Sequence, residues 1–75
     1  MSKDLNGLVA RNLRKIRLGQ NLSQEEAAEK CRLHRTYIGA IERGERNITL
    51  NTLQQIALAL GVDPVELLSE KWGAK

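Results

Sequence analysis

No phenylalanine occurs in the 75-residue chain, which holds one tyrosine, one tryptophan, one proline and one cysteine. Strand-favouring aromatics are nearly absent, which argues against a β-rich domain. The single cysteine, Cys31, excludes an internal disulfide framework and a cysteine-built zinc site. With Ala27 and Ala28 nearby it reads as a small thiol packed on the inner face of a helix, a redox sensor being the alternative. The lone histidine, His34, brings no metal cluster with it. No segment approaches the roughly 20 apolar residues of a membrane span, and the N-terminus has no apolar stretch of signal-peptide length, so a soluble cytoplasmic protein is expected. Paired acids and bases around a nucleophile and a phosphate loop are missing too. The expectation is therefore a protein that is not an enzyme and takes no cofactor, metal or small-molecule ligand.

What is present favours helix, since Leu, Ala, Ile, Glu, Gln, Arg and Lys dominate. Residues 1–75 suffice for a single domain. A chain of this size buries only about 60% of its unfolded surface, so burial between two copies would help it. The formal charge is +3, and it is unevenly spread. Residues 1–47 carry ten basic and six acidic side chains, whereas residues 48–75 carry two and three. A basic excess confined to one part of a chain is the electrostatic footprint of a nucleic-acid binder, although a merely solvated face gives the same count.

Apolar spacing predicts a first helix over Asp4 to Leu18, with Leu5, Leu8, Val9, Leu13 and Ile16 inward and Arg11, Arg14, Lys15 and Arg17 outward. Asn21 suits a left-handed exit. Ser23 and Glu26 form a capping box that starts helix two. Arg32 and Leu33 make a turn, and helix three runs from about His34 to Arg43 with Ile38 and Ile41 inward. Its outward face, Arg35, Thr36, Gly39 and Ala40, is small and polar, suited to close approach against a surface. Gly44 ends it. Thr49 can cap a fourth helix through Leu60, with Leu50, Leu53, Ile56, Ala57 and Leu60 inward. Asp63, Pro64 and Glu66 start a fifth helix over about 64–71. Two helices joined as tightly as the second and third should cross steeply, the arrangement that pushes a helix into a DNA groove.

Leu22-Ser23-Gln24-Glu25-Glu26-Ala27-Ala28, then Ile38, Ile41-Glu42-Arg43-Gly44, Ile56-Ala57 and Leu60-Gly61-Val62 resemble, in order, the phage Cro and repressor family of helix-turn-helix proteins, also called xenobiotic-response-element-like regulators. The resemblance covers about residues 8–69. It implies an all-α, five-helix bundle of the lambda-repressor-like DNA-binding type, with helices two and three as the helix-turn-helix. Within that family, His34 to Leu50 is most similar to the controller proteins of bacterial restriction-modification systems. Those are small dimers that regulate their own operon and the endonuclease gene. Other repressors of the family, phage-type or antitoxin, share many of these words. The chain departs from the pattern at Arg32, where glycine is frequent, and a left-handed residue with a side chain costs about 1–2 kcal/mol.

Readout in the major groove needs paired donors, or a donor beside an acceptor, projecting from the start of the inserted helix. Arg35 and Thr36 are placed for it. Tyr37 either lies along the DNA or packs on its own domain, and the resemblance favours DNA. Arg46 is the residue expected to reach into a groove. Phosphate contacts are expected from Ser23, Gln24, His34, Arg43, Asn47, Thr49 and Thr52, with His34 alternatively capping helix three and Arg43 alternatively solvated. For Glu42, a carboxylate among cations, the resemblance implies a structural ion pair with Arg17. Leu58, Val65, Leu68 and Trp72 exceed what one small core can take and suggest a two-fold interface. The expected partners are thus double-stranded DNA at pseudo-palindromic half-sites ~34 Å apart, a second copy of the chain, and RNA polymerase. A protein-interaction module that kept the fold and lost DNA is the competing class. Such a module should not keep Arg35, Arg43 and Arg46 together on its outward face.

Overall fold

Five helices follow one another in the computed structural model, which describes residues 4–70: α1 (Leu5–Gly19), α2 (Gln24–Cys31), α3 (Arg35–Glu42), α4 (Leu50–Leu60) and α5 (Pro64–Leu67). No strand occurs among the described residues. Every helix opens on a side chain that accepts from an otherwise unpaired amide: Asp4, Ser23, His34, Thr49 and Asp63. Ser23 and Glu26 close a reciprocal capping box at 2.9 and 2.8 Å. Caps of this kind contribute about 1 kcal/mol each.

The helix ends share one device. Asn21, Arg32, Gly44 and Gly61 all have positive φ. Just beyond each, an amide bonds back five residues: Leu22 to Arg17, Leu33 to Ala28, Glu45 to Ala40 and Val62 to Ala57. These bonds satisfy carbonyls that the helix itself leaves open. Leu22, Leu33 and Val62 then turn inward and pack on the core. Arg32, at φ 59°, holds this conformation without being glycine, at a cost of about 1–2 kcal/mol.

The core is aliphatic. Leu13, Ile38, Ile41, Ile56 and Leu67 are fully enclosed, and burying each such side chain is worth about 1.5–3 kcal/mol. Ala27, Ala28 and Cys31 give α2 a low inner face, against which α3 and α4 both pack. α1 packs against α3 and α5. α3 is therefore seated between α1 and α2, with its N-terminal turn left open.

Several expectations fail in instructive ways. Leu5 and Leu50 were expected inward but are 55% and 81% exposed. Helical spacing sets a direction, not whether a neighbour is there to cover it. Arg17 was expected among the outward cations but is buried. Gly39 was expected on the open face, yet it is buried, because the side chains of Gln24 and Arg43 lie over it. The fifth helix was expected to reach residue 71 and stops at Leu67. Asn12 explains the stop: its amide donates to the Leu67 carbonyl at 2.9 Å and to that of Ser69 at 2.8 Å. The Leu67 carbonyl is thus engaged by α1 instead of a further turn of helix. Trp72 lies outside the described residues.

Candidate nucleic-acid interface

Three residues, Arg32, Leu33 and His34, connect α2 to α3. Leu33 packs into the core, while His34 is spent on the helix start, its Nδ1 accepting from the Thr36 amide at 3.2 Å. An imidazole nitrogen that accepts there carries its proton on Nε2. The Thr36 hydroxyl sits 2.8 Å from the same Nδ1 and so donates its proton to it. His34 is left with one outward donor, Thr36 with outward lone pairs.

Arg35 and Thr36 are both exposed at the first turn of α3. Together with Gln24, Glu25, Gly39 and Arg43 they line an open hollow of about 390 Å³. Each arginine of this face rests on a neighbour. Arg35 pairs with Glu25 at 3.1 Å, both well exposed. Arg43 pairs with Glu45 at 3.1 Å, and that hydrogen bond, with the carboxylate charge behind it, holds the guanidinium pKa above its ordinary value. Arg46 stacks over the Tyr37 ring, 4.7 Å from its centroid. Tyr37 is half-buried and packs against the core, so it is at once a domain residue and the platform for Arg46. Exposed ion pairs of this kind contribute little to stability and leave their side chains free to change partners.

Behind the open face stands a buried polar cluster. Arg17 donates to Glu42 through Nε at 2.7 Å and Nη2 at 3.0 Å, and to the Leu22 carbonyl through Nη1 at 2.9 Å. The two side chains are 8% and 3% exposed. The hydrogen bond to Glu42 raises the Arg17 pKa further, against the opposing effect of burial. Gln24 Nε2 also donates to Glu42, at 3.1 Å. This cluster ties α1, the start of α2 and the end of α3 together, fixing the recognition helix from behind.

The remaining sequence-derived candidates are scattered. Ser23 is committed to its capping box. Thr49 caps α4 and donates to the Thr52 hydroxyl at 3.1 Å, while Asn47 accepts from Asn6 of α1. The Asn6–Asn47 contact ties the loop between α3 and α4 to α1. Leu58, Val65 and Leu68 are 75%, 67% and 39% exposed. Leu68 also lines an apolar groove of about 160 Å³ with Leu5, Val9, Ile48, Leu50 and Leu53. Sequence reasoning did not single out Asn12, Glu25, Glu45 or Gln55. Glu45 carries a local signal, two residues from Arg43, whereas Glu25 meets Arg35 from ten residues away on another helix. The two amides carry none, since their partners lie far away in sequence.

The model of the family described as helix-turn-helix matches residues 13–67. The control protein C.BamHI of Bacillus amyloliquefaciens is 48% identical over 69 residues, covering 91% of this chain and 85% of that protein. The crystal structure of the hypothetical transcription factor NHTF from Neisseria superposes with a TM-score of 0.87 at 37% identity, covering 97% of this chain and 86% of that one. That of the restriction-modification controller protein C.AhdI from Aeromonas hydrophila superposes with a TM-score of 0.79 at 39% identity, over 83% of this chain and 94% of that one.

Proposed function

The chain belongs to the helix-turn-helix family and is a DNA-binding transcriptional regulator, and from that premise we propose that it is the dimeric controller protein of a restriction-modification system. The observation that carries this reading is the extent of the likeness to C.BamHI, 91% of one chain against 85% of the other.

In this reading α3 enters the major groove, Arg35 leaves Glu25 for a guanine edge, and Thr36 offers its lone pairs to a base amino group. The exchange is favourable, since a bidentate arginine to guanine discriminates by about 1–3 kcal/mol and the exposed pair it gives up holds by less. Arg46 leaves the Tyr37 ring for the groove, Arg43 leaves Glu45 for phosphate, and the outward Nε2 proton of His34 serves a second phosphate. Leu58, Val65 and Leu68 meet their two-fold equivalents in a second copy, setting two recognition helices one DNA turn, ~34 Å, apart. RNA polymerase is the further partner at an activated promoter.

Selection from a random DNA library tests the reading. The expected product is a pseudo-palindrome, and Arg35→Ala should flatten one position per half-site. Equal weakening on all sequences would remove the base-reading role. Leu58→Glu with Val65→Glu should leave a folded monomer in sedimentation that no longer prefers the full palindrome over a half-site. A double variant that stays dimeric would place the interface elsewhere.

A further inference from the structure

An apolar groove of about 160 Å³ lies between the first turns of α1 and the start of α4. Two leucines that line it, Leu5 and Leu50, are 55% and 81% exposed, and Leu68 is 39% exposed. The volume is close to the ~150 Å³ that takes up a benzene ring in an apolar protein cavity. One aromatic side chain fills such a space. Two polar residues, Asn6 and Thr49, also line the groove. Asn6 spends an amide N–H on Asn47, which leaves its carbonyl oxygen to accept. An apolar ring with one N–H meets both demands, and indole is the side chain of that description.

The chain carries one tryptophan, Trp72, and the way α5 ends brings it within reach. Asn12 of α1 ties down the carbonyls of Leu67 and Ser69 at 2.9 and 2.8 Å, and Leu68, between them, lines the groove. Leu5, Val9 and Asn12 follow at spacings of four and three, so they share one face of α1. The chain therefore leaves α5 along the same face of α1 that walls the groove. Val9 and Leu5 stand about 4.5 and 10.5 Å along the helix from Asn12, and the three residues from Ser69 to Trp72 span up to about 10 Å. We infer that the Trp72 indole of the same chain occupies this groove, packed on Leu5, Leu50 and Leu68 with its N–H toward Asn6. The opposite wall includes Ile48 and Thr49, the end of the loop that carries Arg46 and Asn47. The indole thus clamps that loop to α1, beside the Asn6–Asn47 contact. The two-fold role expected of Trp72 from sequence is replaced, and Leu58, Val65 and Leu68 meet the second copy without it.

The indole reports on itself, since the chain has no other tryptophan. In the full chain its fluorescence should lie at shorter wavelength than in urea and be poorly quenched by acrylamide. Both should hold on dilution to concentrations at which the chain sediments as a monomer. Leu50→Glu, at an 81% exposed position outside the core, should move the emission toward that of the unfolded chain while far-UV circular dichroism stays the same. Trp72→Ala should lower the melting temperature by about 10 °C or more and speed hydrogen exchange at the Ile48 amide. Nuclear Overhauser effects from the indole to the methyl groups of Leu5 and Leu50, measured on the monomer, give the position of the ring directly. A wild-type emission like that of the unfolded chain overturns the inference, and this result needs no variant to fold. So does a buried emission that is unmoved by Leu50→Glu and shows no such Overhauser effects. Emission that is buried at high concentration and becomes exposed in step with dissociation assigns Trp72 to an interface between copies, and overturns the clamp within one chain.

Discussion

Glu42→Ala should be among the most damaging single changes available to this domain, although it removes one negative charge from a region rich in cations. Glu42 accepts three hydrogen bonds, two from Arg17 and one from Gln24. Removing it strands a guanidinium whose side chain is 8% exposed, with only the Leu22 carbonyl left to it. Breaking one side of a buried ion pair costs about 3–5 kcal/mol. A chain of 75 residues has a total stability of about 4–11 kcal/mol at the usual 0.05–0.15 kcal/mol per residue. The loss is thus between about a quarter and all of it. Urea unfolding followed by far-UV circular dichroism measures it, with Glu25→Ala as an internal standard. Glu25 also pairs with an arginine, at 3.1 Å, but both side chains are well exposed, so its loss should cost less than about 1 kcal/mol. Replacing both members of the buried pair, Arg17→Met with Glu42→Leu, should restore most of the lost stability, since no charge is then left unpaired. If Glu42→Ala is no more damaging than Glu25→Ala, the cluster is not what holds α3.

Arg32→Gly relieves a left-handed φ of 59° and should raise the melting temperature by a few degrees, the relief of about 1–2 kcal/mol being partly offset by the greater freedom of glycine in the unfolded chain. A lower melting temperature would mean that the Arg32 side chain is needed. Asn12→Leu removes both donors to the Leu67 and Ser69 carbonyls and should cost about 2 kcal/mol at roughly 1 kcal/mol per bond. Hydrogen exchange should then show faster exchange at the Leu68 amide, whereas unchanged protection there would refute the tie. Burial raises the pKa of Cys31, so the thiol stays protonated in the folded chain after the unfolded chain has begun to ionise. Its stabilising effect is complete below the ordinary thiol pKa of about 8.5 and falls as pH rises above it. Chemical denaturation at pH 7 and pH 10 should show a drop that shrinks in Cys31→Ala, and an identical drop in both proteins would refute the assignment.

Local signals were the ones that sequence carried faithfully. Ser23 with Glu26, Thr49, and Asp63 with Pro64 and Glu66 start helices because a cap needs only residues within one turn, and all three starts lie where the spacing put them. The stops at Asn21, Arg32, Gly44 and Gly61 are equally local. What sequence did not carry is long-range. Asn12 resembles any surface amide until α5 arrives 55 residues later. Arg17 sits in a stripe of cations, and only Glu42, 25 residues away, turns it inward. The resemblance to a family supplied that pair where spacing could not. Gly39 lies on the outward face by spacing, and long side chains from two other turns then cover it. The candidate site was legible as a set of residue types on one helix start. The partners on which those residues rest in the free chain were not.

Four side-chain to backbone bonds have a common form. Arg17 donates to the carbonyl of Leu22, Gln20 to that of Leu60, Gln55 to that of Cys31 and Asn12 to that of Leu67. Three of the four acceptors are the last residue of a helix, where carbonyls lack partners within the helix itself. The donors are Gln20, just past the end of α1, Gln55 of α4 and Asn12 of α1, so each of the three bonds ties one helix end to another part of the bundle. Aliphatic packing is tolerant of small rotations and slides, and a core without phenylalanine has few large, rigid side chains to resist them. A hydrogen bond from a side chain on one helix to the end of another has a narrow angular range, so it fixes where that helix stops and how it is turned. None of these bonds touches the open face of α3. They set the relative positions of α1, α2, α4 and α5, and through the Arg17 and Glu42 cluster that frame reaches the recognition helix. The angle of α3 within the domain is therefore set by polar side chains away from its open face, as much as by the short connection between α2 and α3.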